Sequence, residues 1–245
     1  MCTLTWLPAG DRGYDLFFNR DEFDARGPEL PPELLVRNGS RVVAPRDADQ
    51  GGTWLALNEY GMTTALLNYY PSAPGTAPTP SSANAAGGLL HSRGEVPWLG
   101  ADMSSADRLS HRLRSLDLSV FRPFHLVAVD AGGGSGWFRW DGRSLHSDTA
   151  PAFLTSSSHN TVAIEAARQQ RFNQLSERSR EALNALHRHH DRARGAESIC
   201  MRRENGRTRS ICTVVVRAGL RQLTYEKVAW EEPEATTPPP WVVTL

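Results

Sequence analysis

Residues 1–23 read MCTLTWLPAGDRGYDLFFNRDEF, and two runs within them, TLTWL (3–7) and YDLFF (14–18), are rich in the residues that strands favour. Between them PAGDRG (8–13) places Pro and Gly where a chain reverses. The stretch predicts a β-hairpin that begins at Cys2. Its returning strand ends in four polar residues, Asn19, Arg20, Asp21 and Glu22, which the hairpin brings back toward Cys2.

The same patterning continues through the first half. RVVAP (41–45), TWLALN (53–58) and MTTALLN (62–68) read as strands, the last two joined by the tight connection EYG. From Pro71 to Gly88 the chain is rich in Pro and small residues, so 71–81 is expected to be an extended loop, with any helix starting near Ser82. SADRLSHRLRS (105–115) is helical in pattern. Strands FHLVAVD (124–130) and GWFRW (136–140) flank GGGSG, a hairpin turn that lacks the strand–loop–helix setting of a phosphate cradle.

A single long helix is expected from about Thr161 to about Asp191, with SSSHN (156–160) as its N-cap and HRHH (187–190) at its negative end. Strands follow at ESICMRR (197–203), RSICTVVVRA (209–218) and RQLTYEKVA (221–229), and the tail 231–245 is expected to lie as a surface strap. Strands grouped in this way, not alternating one for one with helices, imply an α+β chain with antiparallel sheets in a single domain, 1–245.

Composition narrows the partners. Lys plus Arg number 27 and Asp plus Glu number 27, so no net field favours nucleic acid. No run approaches the roughly 18 apolar residues of a membrane span, and no secretory leader pattern is present. The cysteines, Cys2, Cys200 and Cys212, have neither disulfide-framework nor zinc spacing, which suits a reducing, cytoplasmic setting. Cys200 and Cys212 are placed in strands, as inert core thiols.

Cys2 is the residue with chemistry in reach. Removal of Met1 would leave it with a free α-amine of pKa about 7.7–8.0 beside a thiol of pKa about 8.5, so that one residue supplies nucleophile and base. The plainer reading is a small apolar filler at a strand start. Arg20 near a thiol lowers its pKa, and Asp21 or Glu22 can orient an amine; the plainer reading is a solvated strand end. Asn68 ends a strand and is either an oxyanion donor worth ~3–4 kcal/mol or the start of an Asx-turn. Gly51 and Gly52 allow a close backbone approach or a bulge.

Taken in order, MCTLTW, NRDE, APRD…GGTW, LLNYY, SRG (92–94) and TRS (208–210) resemble the NRDE family, also called the transport and Golgi organisation protein 2 family. That resemblance spans nearly the whole chain. It implies an N-terminal-nucleophile hydrolase type of fold, a four-layer αββα sandwich in which two antiparallel sheets stack between helices. By similarity to cysteine amidases such as penicillin V acylase and bile salt hydrolase, it implies Cys2 as nucleophile, Arg20 as its electrostatic partner, Asp21 or Glu22 as the amine-orienting acid, and Asn68 as oxyanion donor. Arg209 in TRS either reaches this site or forms a strand-face ion pair. The implied activity is cleavage of an amide or related acyl bond on a small molecule, with no cofactor required and no metal. The alternative is binding and delivery of haem, or of an acyl-CoA or lipid, through the same cleft, or a catalytically silent scaffold.

Overall fold

A computed structural model describes residues 1–10, 12–70, 90–231 and 234–245. In chain order the strands of the first half are β1 (Cys2–Pro8), β2 (Tyr14–Phe23), β3 (Glu29–Arg37), β4 (Ser40–Asp47), β5 (Leu55–Asn58) and β6 (Thr63–Asn68). A 3₁₀ segment (Arg93–Gly100) and helix α1 (Ala106–Arg114) lead into β7 (Phe124–Val129), β8 (Ser135–Trp140), β9 (Leu145–Asp148) and β10 (Phe153–Ser156). Helices α2 (Thr161–Asn173) and α3 (Arg180–Arg188) precede β11 (Arg202–Arg203), β12 (Gly206–Arg217), β13 (Leu220–Lys227), β14 (Ala229–Glu231), β15 (Glu234–Thr236) and β16 (Trp241–Thr244).

One large sheet has the order β10-β1-β2-β12-β13-β16 with β11 beside β12, the other large sheet is a meander from β3 to β9, and β14 and β15 pair as a separate two-stranded sheet. Alternation along the strands assigns each residue a layer. Leu4, Leu16, Phe18, Cys212 and Val214 of the first sheet meet Val43, Leu57, Leu67 and Val127 of the second in one buried core. The opposite face of the first sheet offers Phe17 and Phe153 to Phe172, Leu183 and Leu186 of α2 and α3. Leu66, Leu126 and Phe138 of the second sheet pack on Leu109 and Leu113 of α1. The arrangement is the expected four-layer αββα sandwich. Among the described residues no helix is long and apolar enough to cross a membrane.

The opening hairpin forms where its residues predicted it. Gly13, at the turn, has φ +103°, and a Cβ there would lie 2.2 Å from the Val216 carbonyl oxygen, so only glycine lets β2 pass β12 at this point. Tyr14 then ties the two sheets together, its hydroxyl 2.6 Å from Thr63 Oγ1.

Several expectations are corrected. The long helix is two: α2 ends at Asn173, Leu175 turns inward against Phe172, and Ser179 caps α3 by accepting from Ala182 N–H at 3.2 Å. A capping serine inside a helical pattern ends one helix and begins another. SSSHN supplies no side-chain cap to α2, whose N-cap Asn160 is left-handed at φ 42°. Only Arg202 and Arg203 of ESICMRR are strand, and Cys200 lies outside any strand although buried. Strands β3, β9, β10 and β15 have no counterpart in the sequence reading; β3 contains Pro31 and Pro32, tolerated because it is an edge strand with a register shift between Leu30 and Glu33. The tail ends as edge strand β16, paired with β13. The loop expected at 71–81, and the helix start near Ser82, lie outside the described residues.

Candidate active site

The register across the first sheet brings Ser156, Cys2, Arg20 and Ser210 into one row, as Cys2 pairs with Ser156 and Arg20, and Arg20 with Ser210. Directly opposed residues in antiparallel strands share a face, and this face is the one that packs against the second sheet, with Cys2 beside the inter-sheet core. Asp21, one residue on, points to the helix side. There its carboxylate accepts from Thr208 Oγ1 at 2.6 Å and from Arg168 Nη1 at 3.0 Å. Glu22 returns to the Cys2 face, with Oε2 3.4 Å from Arg20 Nη2. Of the two candidate acids, Glu22 therefore shares the thiol's face, and Asp21 meets the chain terminus through its backbone: its carbonyl accepts from the Met1 ammonium and its N–H donates to the Met1 carbonyl, both at 3.0 Å.

Arg20 is held on all sides. It pairs with Asp47 at 2.9 Å, with Glu22 and with Glu29, and its guanidinium lies 4.5 Å from the centre of the Trp54 ring. Tyr225 donates to Glu29 at 2.7 Å, and Arg26 also pairs with Asp47. The neighbouring carboxylates raise the Arg20 pKa despite burial, so its charge is permanent but largely matched.

With Met1 attached, burial pushes the Cys2 thiol up to about 11. The Met1 ammonium and Arg20 pull it down, the Asp21 carboxylate pushes it up, and the Asp21 N–H helps the thiolate by hydrogen bonding. At neutral pH this thiol keeps its proton. Met1 itself is buried, with its sulfur 2.7 Å from Ser157 Oγ.

Asn68 closes β6, opposite Phe124, and its amide donates to the Tyr70 hydroxyl at 3.1 Å. Arg209 sits at the bulge where β12 slips against β2 between Thr208 and Ser210, and it donates to the Arg26 carbonyl at 2.8 Å. Its two neighbours, not Arg209 itself, flank the Asp21 and Arg20 positions.

Asn19 holds a strand to a helix. Its amide donates to the His187 and Ile199 carbonyls at 2.8 and 3.1 Å, and its Oδ1 lies 2.7 Å from His187 Nδ1. With Nδ1 donating to Asn19, the other ring nitrogen accepts from Thr5 Oγ1 at 2.8 Å. Burial pushes His187 down to about 3, which keeps it neutral. His187 is thus a strand–helix clamp, and among the described residues no cluster of three or more His, Cys, Asp or Glu is placed to hold a metal.

Sequence reasoning missed Arg168, Ser156, Glu29, Asp47 and Arg93. Arg168 has no signal, because an arginine on an amphipathic helix reads as solvent-facing, yet it is fully buried beneath Asp21. Ser156 Oγ is buried without a hydrogen-bond partner beside Cys2. Asp47 and Arg93 lay within the quoted APRD and SRG motifs. Their glycines explain one another: a Cβ on Gly52 would sit 2.7 Å from Gly94 Cα, and Thr53 N–H donates to the Gly94 carbonyl at 2.9 Å. Gly52→Ala is expected to cost about 1–3 kcal/mol in chemical denaturation, since backbone and not a flexible side chain must move. An unchanged midpoint would count against this close packing.

Solved structures with the same fold support the architecture. A variant of conjugated bile acid hydrolase from Clostridium perfringens matches with TM-score 0.56 at 13% identity, over 100% of this chain and 96% of that one. The N-acylethanolamine-hydrolyzing acid amidase ortholog of Caenorhabditis elegans gives 0.56 at 10% identity, over 88% and 92%. Penicillin V acylase from Agrobacterium tumefaciens gives 0.52 at 12%, over 93% and 83%. At such identities the likeness concerns the fold, which is that of the N-terminal-nucleophile hydrolases. No curated protein matches the sequence significantly. The family model described as Transport and Golgi organisation 2 matches residues 1–190, and the chain belongs to that family.

Proposed function

We propose that this protein is an N-terminal cysteine hydrolase acting on an amide or related acyl bond of a small molecule. The observation that carries the reading is the placement of Cys2 at the start of β1, directly opposite Arg20 and facing the space between the sheets. The fold shared with acylases and amidases supports it.

Loss of Met1 frees the Cys2 amine. The amine accepts the thiol proton, and the thiolate sulfur attacks the substrate carbonyl carbon. Asn68, by turning its amide from Tyr70, and backbone N–H groups hold the oxygen as it becomes negative. Collapse breaks the C–N bond, and the ammonium returns its proton to the departing amine. Water then attacks the thioester carbon, giving one proton to the Cys2 amine; collapse breaks the C–S bond and releases the carboxylic acid, and the Cys2 ammonium returns its proton to the thiolate. Arg20, fixed by three carboxylates and Trp54, keeps a positive charge beside the sulfur throughout.

The test is turnover of a panel of N-acyl p-nitroanilides by protein whose mass proves that Met1 is gone. Cys2→Ala is expected to lose at least ~1000-fold in kcat/KM with unchanged thermal unfolding. If Cys2→Ala keeps pace with the parent on every substrate turned over, the hydrolase reading fails. Ligand delivery through the cleft then becomes the reading to test, by titration with haem under oxidising and reducing conditions.

A further inference from the structure

Two arginines act on Cys2, and they differ in what neutralises them. Arg20 is enclosed by the carboxylates of Glu22, Glu29 and Asp47. Arg93 has no carboxylate at ion-pairing distance among the described residues; its hydrogen bond runs from Nη1 to the Pro123 carbonyl at 3.0 Å. Burial lowers its pKa, the Arg122 charge lowers it further, and the Glu22 carboxylate opposes both. A guanidinium nevertheless remains protonated at neutral pH. A partly buried cation without a counterion is unfavourable in the free protein, and an anion brought by a ligand removes that penalty.

The backbone places this cation. Thr53 N–H holds the Gly94 carbonyl, and the adjacent Trp54 carries the Arg20 guanidinium on its ring, so the Thr53–Trp54 step links the backbone next to Arg93 with the Arg20 side chain. The Pro123 carbonyl that anchors Arg93 also accepts from Tyr69 N–H at 3.2 Å, which sets Arg93 at the end of β6 with Asn68 and Tyr70. The Tyr70 hydroxyl accepts from Asn68 and keeps its own proton to donate.

We infer that Arg93, with the Tyr70 hydroxyl beside it, binds a carboxylate of the substrate, which makes the substrate an acyl compound bearing a negative charge a few bonds from the bond that Cys2 attacks. The location of that charge relative to the reacting bond rests on the nucleophile reading above. With Nη1 bonded to the Pro123 carbonyl, the remaining donors of Arg93 include Nε and Nη2, a pair that matches the two oxygens of a carboxylate.

The experiment is calorimetric titration of full-length Cys2→Ser protein, which cannot form the thioester, with N-octanoylglycine and with its neutral amide. The acid is expected to bind about tenfold more tightly than the amide, a preference lost in Cys2→Ser/Arg93→Gln and partly kept in Cys2→Ser/Arg93→Lys. Equal binding of acid and amide, a preference that survives Arg93→Gln, or no saturable binding of either compound overturns the inference. Should the Gln variant fail to fold, the acid-against-amide comparison in Cys2→Ser and the Lys variant decide. Alkylation of wild-type Cys2 by uncharged iodoacetamide separates the two readings. Fast alkylation without acid preference leaves the nucleophile and removes the role of Arg93; acid preference without fast alkylation leaves an anion-binding cleft and removes the nucleophile.

Discussion

Arg168→Met is expected to destabilise the protein by about 3–5 kcal/mol, because it strands a buried carboxylate. The side chains of Arg168 and Asp21 are both fully buried, and Nη1 of Arg168 also donates to Thr3 and Thr155, so one guanidinium joins α2 to the strands on either side of Cys2. Its Nη2 reaches the Ala196 carbonyl at 2.9 Å. Removing it leaves the Asp21 carboxylate buried, with the Thr208 hydroxyl as its remaining side-chain donor among the described residues. Urea denaturation measures the loss. The double variant Arg168→Met/Asp21→Asn is expected to recover a large part of it, because the stranded charge is gone. Additive losses in that cycle would mean that the two residues act separately.

Met1 governs the second large effect. In protein that retains Met1, alkylation of Cys2 should rise about tenfold for each pH unit above 7, since a thiol pushed up to about 11 is ionised to only about one part in ten thousand at neutral pH. In protein that has lost Met1, the free amine takes the proton, and the profile should level off near pH 8 with at least a ~100-fold faster reaction at pH 7. Mass spectrometry of the two forms after timed exposure to iodoacetamide measures both profiles. Superimposable curves would show that the amine plays no part. The raised thiol value also has a stability consequence for the Met1 form. Above about pH 8.5 the unfolded chain releases a proton that the folded chain keeps, so stability falls as pH rises toward 11.

The hairpin was legible from local residues, because strand propensity and a Pro/Gly turn act over near neighbours, and with it the return of Asn19 to Glu22 alongside Cys2. The α+β class was legible too, since grouped strands leave few other arrangements, and the ordered motifs pointed to the family. Which face each polar residue serves was settled only by packing. NRDE alternates: Arg20 and Glu22 fall on the inter-sheet side, while Asn19 and Asp21 turn to the helices, where His187 and Arg168 meet them. Those partners lie 168 and 147 residues away along the chain, and nothing local marks an arginine of α2 as the counterion of Asp21. The same holds for Gly52 and Gly94, whose need for glycine exists only once two distant backbones touch. Register and burial are collective properties of the packed sheets, so the charge balance around Cys2, with Arg20 matched by three carboxylates and Arg93 paired with none among the described residues, could be read only after the layers had closed.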